Sequence, residues 1–179
     1  MLGALWRLLE EKGRNPEDYI PRYNYHPDHG AADIHRLGFE EFIQLHNRVA
    51  NEFQEPALGL QLGACVHPSH FGAMGYAFLA SSSLRTAFYR SQRFLRMVHG
   101  RLVARIDEAP GHMRLAWDIN APVPFPHHFA ESRLAAALTM GRMNFGKELR
   151  PLEVTLSRKT PEDPTPWERF FGCPVRFGG

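Results

Sequence analysis

Hydrophobic residues recur at helical spacing over much of the chain. The clearest pattern runs through residues 39–53, where apolar side chains follow the i, i+3, i+4, i+7 template of one helix face for four turns. Similar spacing predicts helices in four further segments: residues 2–9, 57–66, 84–98 and 127–145. Gly13 is suited to end the first of them, and Asn15 followed by Pro16 predicts a second short helix over residues 17–20.

The period of the pattern changes after residue 101. Apolar and polar residues alternate over residues 102–106 and 113–119, with the Pro110-Gly111 pair between them, and this predicts a β-hairpin whose apolar face includes Trp117. The rest of the chain predicts short strands at residues 152–156 and 175–177 and a helical turn at residues 167–171. We therefore expect an α+β fold: a mainly helical single domain with a β-hairpin and additional short strands that form a small antiparallel sheet.

Composition limits the class of protein. A chain of 179 residues, 44% of them apolar and 22% charged, suits one globular domain and is too short for two of full size, so residues 1–179 are treated as one domain. The 21 basic and 19 acidic residues nearly balance, which argues against a general polyanion-coating protein. Only Cys65 and Cys173 are present, so there is no disulfide framework and we expect a cytoplasmic protein.

An uncharged stretch, residues 56–84, raises the question of a membrane span. His67, Pro68 and His70 interrupt it, and no continuous run of about 18 apolar residues exists. The first residues lack the pattern of a signal peptide. We expect the stretch to be buried in the domain and the protein to have no membrane contact.

Histidine pairs are the candidates for a metal site. His26 and His29, and likewise His67 and His70, lie three residues apart, but neither pair is followed by the further ligands that zinc requires. We therefore predict no metal and no cofactor, and interpret His46 as a hydrogen-bonded histidine of the core. The motifs of nucleotide hydrolysis and of nucleophilic catalysis are absent from the sequence, so the chain is not expected to be an enzyme.

Basic residues cluster where acidic ones are absent. No acid occurs between Glu55 and Asp107, and that stretch contains six arginines: Arg85, Arg90, Arg93, Arg96, Arg101 and Arg105. Arg93 and its neighbours surround Tyr89 on the predicted helix and form a candidate contact for an anionic partner. The alternative is a solvated basic face whose charges pair with acids elsewhere in the fold.

Aromatic residues in the uncharged stretch form a second candidate site. Phe71, Tyr76 and Phe78 lie near the glycines at 72 and 75, and Trp117 lies on the apolar face of the hairpin. If these elements leave a gap, the gap is a pocket for a small molecule. If they close completely, the aromatic residues are simply core.

Three segments resemble a known family. They read EPALGLQLG at 55–63, HFGAMGYAFLAS at 70–81 and ERFFGCPVRF at 168–177. In order and spacing they are similar to the N-terminal effector-binding domain of AraC/XylS-type bacterial transcription regulators, in the arabinose-binding-domain-like subgroup. The resemblance covers nearly the whole chain.

The resemblance implies a cytoplasmic regulatory domain that senses a small-molecule effector of unknown identity. It also implies that DNA is bound only through a C-terminal helix-turn-helix domain, which is expected to be absent from this chain. From residue chemistry we predict five ligand-binding residues, with His70 as polar contact and Arg93 as anion partner beside three apolar wall residues: Phe71, Tyr76 and Trp117.

Two hypotheses follow for the function. In the first, an effector shifts a conformational or dimer equilibrium by binding one state more tightly than the other. In the second, the pocket is filled by its own side chains and the domain is a constitutive dimerisation or protein-interaction module of the same regulator. The first predicts stabilisation by a small molecule, and the second predicts a homodimer without such an effect.

Overall fold

The computed structural model describes residues 1–20, 37–98, 102–119 and 126–178, apart from a few side chains at the borders of these ranges. Within them lie seven α-helices: α1 (Leu2–Glu11), α2 (Phe39–Phe53), α3 (Leu58–Ala64), α4 (Ala73–Leu79), α5 (Leu84–Val98), α6 (His127–Phe145) and α7 (Thr165–Phe171). Four strands complete the described fold: β1 (Leu102–Ala109), β2 (His112–Ile119), β3 (Val154–Leu156) and β4 (Val175–Phe177). The expected mainly helical α+β class is confirmed.

Most predicted helices occur where the pattern placed them, one is a shorter turn than predicted, and one further helix was not predicted. The segment predicted as a helix over residues 17–20 is one 3-10 turn, Pro16–Asp18, capped by Asn15, whose side chain accepts from the Glu17 amide at 3.2 Å. Helix α4 was not predicted. It follows a second 3-10 turn, Pro68–Phe71. The His26 and His29 pair lies outside the described residues.

The hairpin and the last two strands form separate ribbons. Strands β1 and β2 pair antiparallel around the Pro110-Gly111 turn, where Gly111 has φ +82°. Strands β3 and β4 pair in parallel, Val154 with Val175, because the chain between them runs through α7 and returns to the same end. These further strands therefore form a parallel pair and do not extend the antiparallel hairpin.

Helix α6 lies between two hydrophobic cores. On one side α1, α2, α3 and α4 pack together with residues such as Met140 of α6. On the other side Leu138 of α6 packs with β3 and α7, where Trp167 is fully buried. Because both sides of α6 are covered, this helix lacks the single apolar stripe of a surface helix.

Helices α3 and α6 cross at unusually close range. A Cβ at Gly59 would lie 2.3 Å from the His128 carbonyl oxygen, and one at Gly63 would lie 2.3 Å from the Ala135 Cβ. Only glycine allows this approach, so the crossing fixes α6 against the first core.

No helix in the described part of the chain has both the length and the apolar character needed to cross a bilayer. The uncharged stretch instead forms α3, a 3-10 turn and α4. Its burial is confirmed for α3, where Leu58, Leu60 and Leu62 are buried, but Tyr76 on α4 is 59% exposed.

Candidate ligand-binding cavity

A cavity opens beside α6, between α4, α5 and the hairpin. Its volume is about 60 Å³. The wall residues come from the 3-10 turn and α4, from α5, from β2 and from α6, and they are Phe71, Met74, Phe78, Phe88, Ser91, Leu95, Trp117, Arg133, Ala136, Ala137 and Met140.

The hairpin is held over the cavity by polar contacts with α5. The Arg85 guanidinium and the Tyr89 hydroxyl both donate to the Glu108 carboxylate of β1, at 2.7 and 2.9 Å. The Gln92 side-chain amide donates to the Ala104 carbonyl at 2.8 Å. These contacts position β2, and with it Trp117, as one wall of the cavity.

The wall is apolar apart from two side chains. The Ser91 hydroxyl is already engaged, because it donates to the Ala87 carbonyl one turn earlier at 3.0 Å. Arg133 is the second polar residue of the wall. It lies on the same face of α6 as Ala136, Ala137 and Met140, at the spacing i, i+3, i+4, i+7.

The Arg133 side chain is partly buried, its Nε atom is buried, and no anion contacts it in the described fold. Among the described residues its Nε has no hydrogen-bond partner, and no carboxylate pairs with it. Its Cζ lies 4.5 Å from the centre of the Phe129 ring, a cation–π contact. Burial lowers the pKa of Arg133 to about 10, so the group remains a cation near pH 7. An unpaired buried charge is costly for a fold.

Two other arginines show how this fold satisfies guanidinium groups. Arg158 donates to buried Glu131 at 2.9 Å and to the Pro56 carbonyl at 3.0 Å. Arg142, also on α6, donates to three backbone carbonyls between 2.9 and 3.3 Å. Arg133 lacks such acceptors in the described fold, and it is the one of these three that lines the cavity.

Two buried histidines lie near the base of α6. His46 of α2 is 1% exposed, and its ring stacks with that of His128 at a centroid distance of 6.2 Å. Burial lowers the pKa of both rings, that of His128 to about 4, so they are neutral near pH 7. Neither Nε2 has a hydrogen-bond partner. The prediction that His46 is a core histidine is confirmed, but the hydrogen bond expected of it is not made by Nε2.

The structure places the five predicted ligand-binding residues differently. Phe71 and Trp117 both lie in the cavity wall. Tyr76 and Arg93 are exposed and are not part of that wall. His70 is half-buried outside the wall, where its Nδ1 accepts from the His67 amide at 3.1 Å. A role in binding stays a prediction for all five, and Arg133 is the wall residue that sequence reasoning missed.

Two of the four arginines of α5 are engaged within the domain. Arg85 pairs with Glu108, and Arg90 donates to the Ala77 and Ala80 carbonyls. Arg105 of β1 pairs with Asp118 of β2 at 2.6 Å. For Arg85, Arg90 and Arg105 the geometry fits the alternative to an anion-binding site, which is a basic surface whose charges are paired within the fold.

The remaining candidate groups are the possible metal ligands and the Cys65 thiol. Where the structure describes the chain, no three His, Cys, Asp or Glu side chains converge on a metal position. The Cys65 thiol is buried and donates to Glu11 at 3.3 Å, and burial raises its pKa to about 12. It is a packed core thiol rather than a nucleophile.

Comparison with known proteins places this arrangement in a class of regulatory domains. Residues 13–179 match the family described as the arabinose-binding domain of AraC transcription regulators, N-terminal, and the chain belongs to that family. The family resemblance found in the sequence is confirmed.

Two particular relatives come from Pseudomonas aeruginosa. The ornithine utilization regulator is 26% identical over 175 residues, which cover 97% of this chain and 52% of that protein. The crystal structure of the transcriptional regulator CdpR has the same fold, with a TM-score of 0.58 at 16% identity, over 98% of this chain and 52% of CdpR. The chain thus spans about half the length of each relative.

Proposed function

We propose that this domain binds a small-molecule effector in the cavity beside α6 and thereby controls DNA binding by an AraC-type transcription regulator. The observation that carries the proposal is an apolar cavity whose wall includes an unpaired guanidinium group. Concave apolar pockets with a few convergent polar groups are the usual form of small-molecule sites. Membership in a family of regulatory domains supports a sensing role.

The architecture offers a way for a ligand to change the domain. The cavity wall is shared by four parts of the fold, so a ligand in it contacts the hairpin through Trp117 and α6 through Arg133 at once. A ligand shifts an equilibrium only by its difference in affinity between two states. A state with the hairpin closed over α6 gives more contacts to the ligand than one with the hairpin displaced, and it is the state that the ligand favours.

The proposed activity is binding without turnover. The relatives are transcription regulators, and the part of each that this chain does not span is where we place DNA binding. We further propose that the regulator acts in the cytoplasm, where its DNA is.

A thermal-shift screen of the 179-residue chain tests the proposal. The compounds comprise organic acids, sugars, fatty acids and amino acids, among them ornithine because of the name of one relative. A ligand at about 100 times its Kd adds roughly 2.7 kcal/mol, a rise in melting temperature of roughly 5–10 °C for a chain of this size.

A cavity-filling variant provides the matched control. Ala137→Leu places extra methyl groups in the cavity wall, so it is expected to fold and to lose the ligand-induced shift. An equal shift in this variant would place the ligand elsewhere. A flat screen together with a concentration-dependent dimer in sedimentation would instead support a constitutive dimerisation module.

A further inference from the structure

We infer that the ligand of this cavity is a small organic acid without an ammonium group, whose carboxylate pairs with Arg133 and whose apolar part packs against Met74 and Trp117. This inference rests on the proposed function, since it specifies the chemistry of the same site. Three features of the cavity carry it.

The first feature is the unsatisfied cation. Arg133 lines the cavity, its Nε has no acceptor in the described fold, and the partly buried Arg142 and Arg158 each have several. A carboxylate fits the guanidinium fork with two parallel hydrogen bonds. A ligand carboxylate would therefore supply Arg133 with the hydrogen-bond acceptors that the fold itself supplies to Arg142 and Arg158.

The second feature is the absence of an acid from the wall. None of the eleven described wall residues is Asp or Glu. An ammonium group brought into this cavity would lose its hydration and meet the Arg133 cation without a counter-charge. The wall thus selects against amines and against amino acids, although an amino acid also has a carboxylate.

The third feature is size. A single water needs roughly 10–15 Å³ of cavity volume, so a cavity of about 60 Å³ accommodates about four to six water-sized groups. That room suits a carboxylate with a short branched or unbranched hydrocarbon chain. Apart from Ser91, the remaining wall, which includes Phe71 and Leu95, is apolar and matches such a chain.

Calorimetric titration of the full 179-residue chain at pH 7 tests the inference with compounds that share one skeleton. The probes are 4-methylpentanoate, 4-methylpentan-1-ol, 4-methylpentan-1-amine and leucine. We expect the acid to bind at least about 30-fold more tightly than the alcohol, since a buried charge-assisted pair is lost, and we expect no binding of the amine or leucine. Quenching of Trp117 fluorescence by the acid provides a second readout, with Trp117→Phe as its control.

Variants separate the role of Arg133 from that of a structural residue. Arg133→Met is expected to bind the acid at least about 30-fold more weakly, to bind the alcohol no worse, and to melt at a higher temperature without ligand because an unpaired buried cation is removed. Arg133→Lys keeps the charge and is expected to retain part of the acid preference. It also serves as the test if Arg133→Met fails to fold. Arg96→Met, an exposed arginine of α5, is the matched control and is expected to bind like the wild type.

Several results would overturn the inference. If the acid and the alcohol bind equally to the wild type, the cavity is a neutral apolar site, and the proposed sensing function survives without this inference. If Arg93→Met abolishes acid binding and Arg133→Met does not, the anion site lies on α5. If none of the four probes binds, the inference is wrong as stated, and the proposed function then depends on the broader screen alone.

Discussion

The close crossing of α3 and α6 predicts that Gly63→Ala destabilises the domain. The added Cβ would lie 2.3 Å from the Ala135 Cβ, 2.8 Å from the Ala136 amide nitrogen and 2.9 Å from the Ser132 carbonyl oxygen. Carbon atoms in contact prefer about 3.5–4.0 Å, so the helices must separate by more than about 1 Å. Two of the three neighbours are backbone atoms and cannot rotate away.

The magnitude follows from two opposing effects. Overpacking a well-packed core costs about 1–3 kcal/mol, and the rigid surroundings place this site at the upper end. Replacement of glycine by alanine inside a helix returns up to about 1 kcal/mol through helix propensity. We therefore expect a net loss of about 2 kcal/mol, which lowers the melting temperature by roughly 4–8 °C.

Urea and thermal unfolding of wild type and variant measure this loss, and a glycine of α6 supplies the control. At Gly141 the nearest atom to an added Cβ is the terminal Cδ2 of Leu149 at 2.7 Å, which a change of rotamer can remove. Gly141→Ala is thus expected to lie within about 1 kcal/mol of wild type. The reasoning is refuted if Gly63→Ala is as stable as wild type, or if the two variants are destabilised equally.

Three further predictions concern pH, thiol reactivity and the second core. Burial lowers the folded-state pKa of His46 and of His128 below the unfolded value of about 6.5, that of His128 to about 4. Their contribution to stability is therefore present above about pH 6.5 and is lost as pH falls below it, by about 1.4 kcal/mol per pH unit for His128. Urea unfolding at pH 7, 6 and 5 checks this, and His46→Phe should reduce the slope; equal stability at pH 7 and 5 would contradict it. In the native chain at pH 8 a thiol reagent should label the partly exposed Cys173 but not Cys65, whereas the unfolded chain should label both, and equal native rates would show that Cys65 is not packed as described. Trp167→Ala should cost about 3–5 kcal/mol in chemical denaturation, since the side chain is fully buried between α6, α7 and β3, and a loss below about 1 kcal/mol would show that the second core is not well packed.

Elements with a contrast between polar and apolar residues could be predicted from the sequence. Helices α2 and α5 have one apolar face, and the hairpin alternates around a Pro-Gly turn, so the pattern identifies each. Helix α4 has no polar face, and a glycine lies near its middle. That residue, Gly75, is required because a Cβ there would lie 1.9 Å from the Pro68 carbonyl oxygen, a contact between segments that no local pattern reveals.

Part of the candidate site could also be predicted from the contrast between polar and apolar residues. Phe71 and Trp117 lie in the wall, as apolar residues near glycines and on a hairpin face suggest. Tyr76 and Arg93 lie outside the wall. Each follows a wall residue, Met74 or Ser91, by two positions, and residues two positions apart on a helix face different directions. The signal for Arg133 was present as the first member of an otherwise apolar stripe with Ala136 and Met140. Periodicity alone assigns a charged residue to the solvent-facing side of a helix. For this reason it did not identify Arg133 as part of the apolar stripe.

Helix α6 contributes side chains to both cores and so connects them. Leu138 faces the second core and Met140 the first, so opening either core would expose one flank of a helix that the other core also contacts. We therefore expect the two cores to unfold together rather than one at a time. We expect the local opening of lowest free-energy cost in the hairpin. Its apolar contacts with α5 and α4 form a separate small cluster around Leu95 and Ala104.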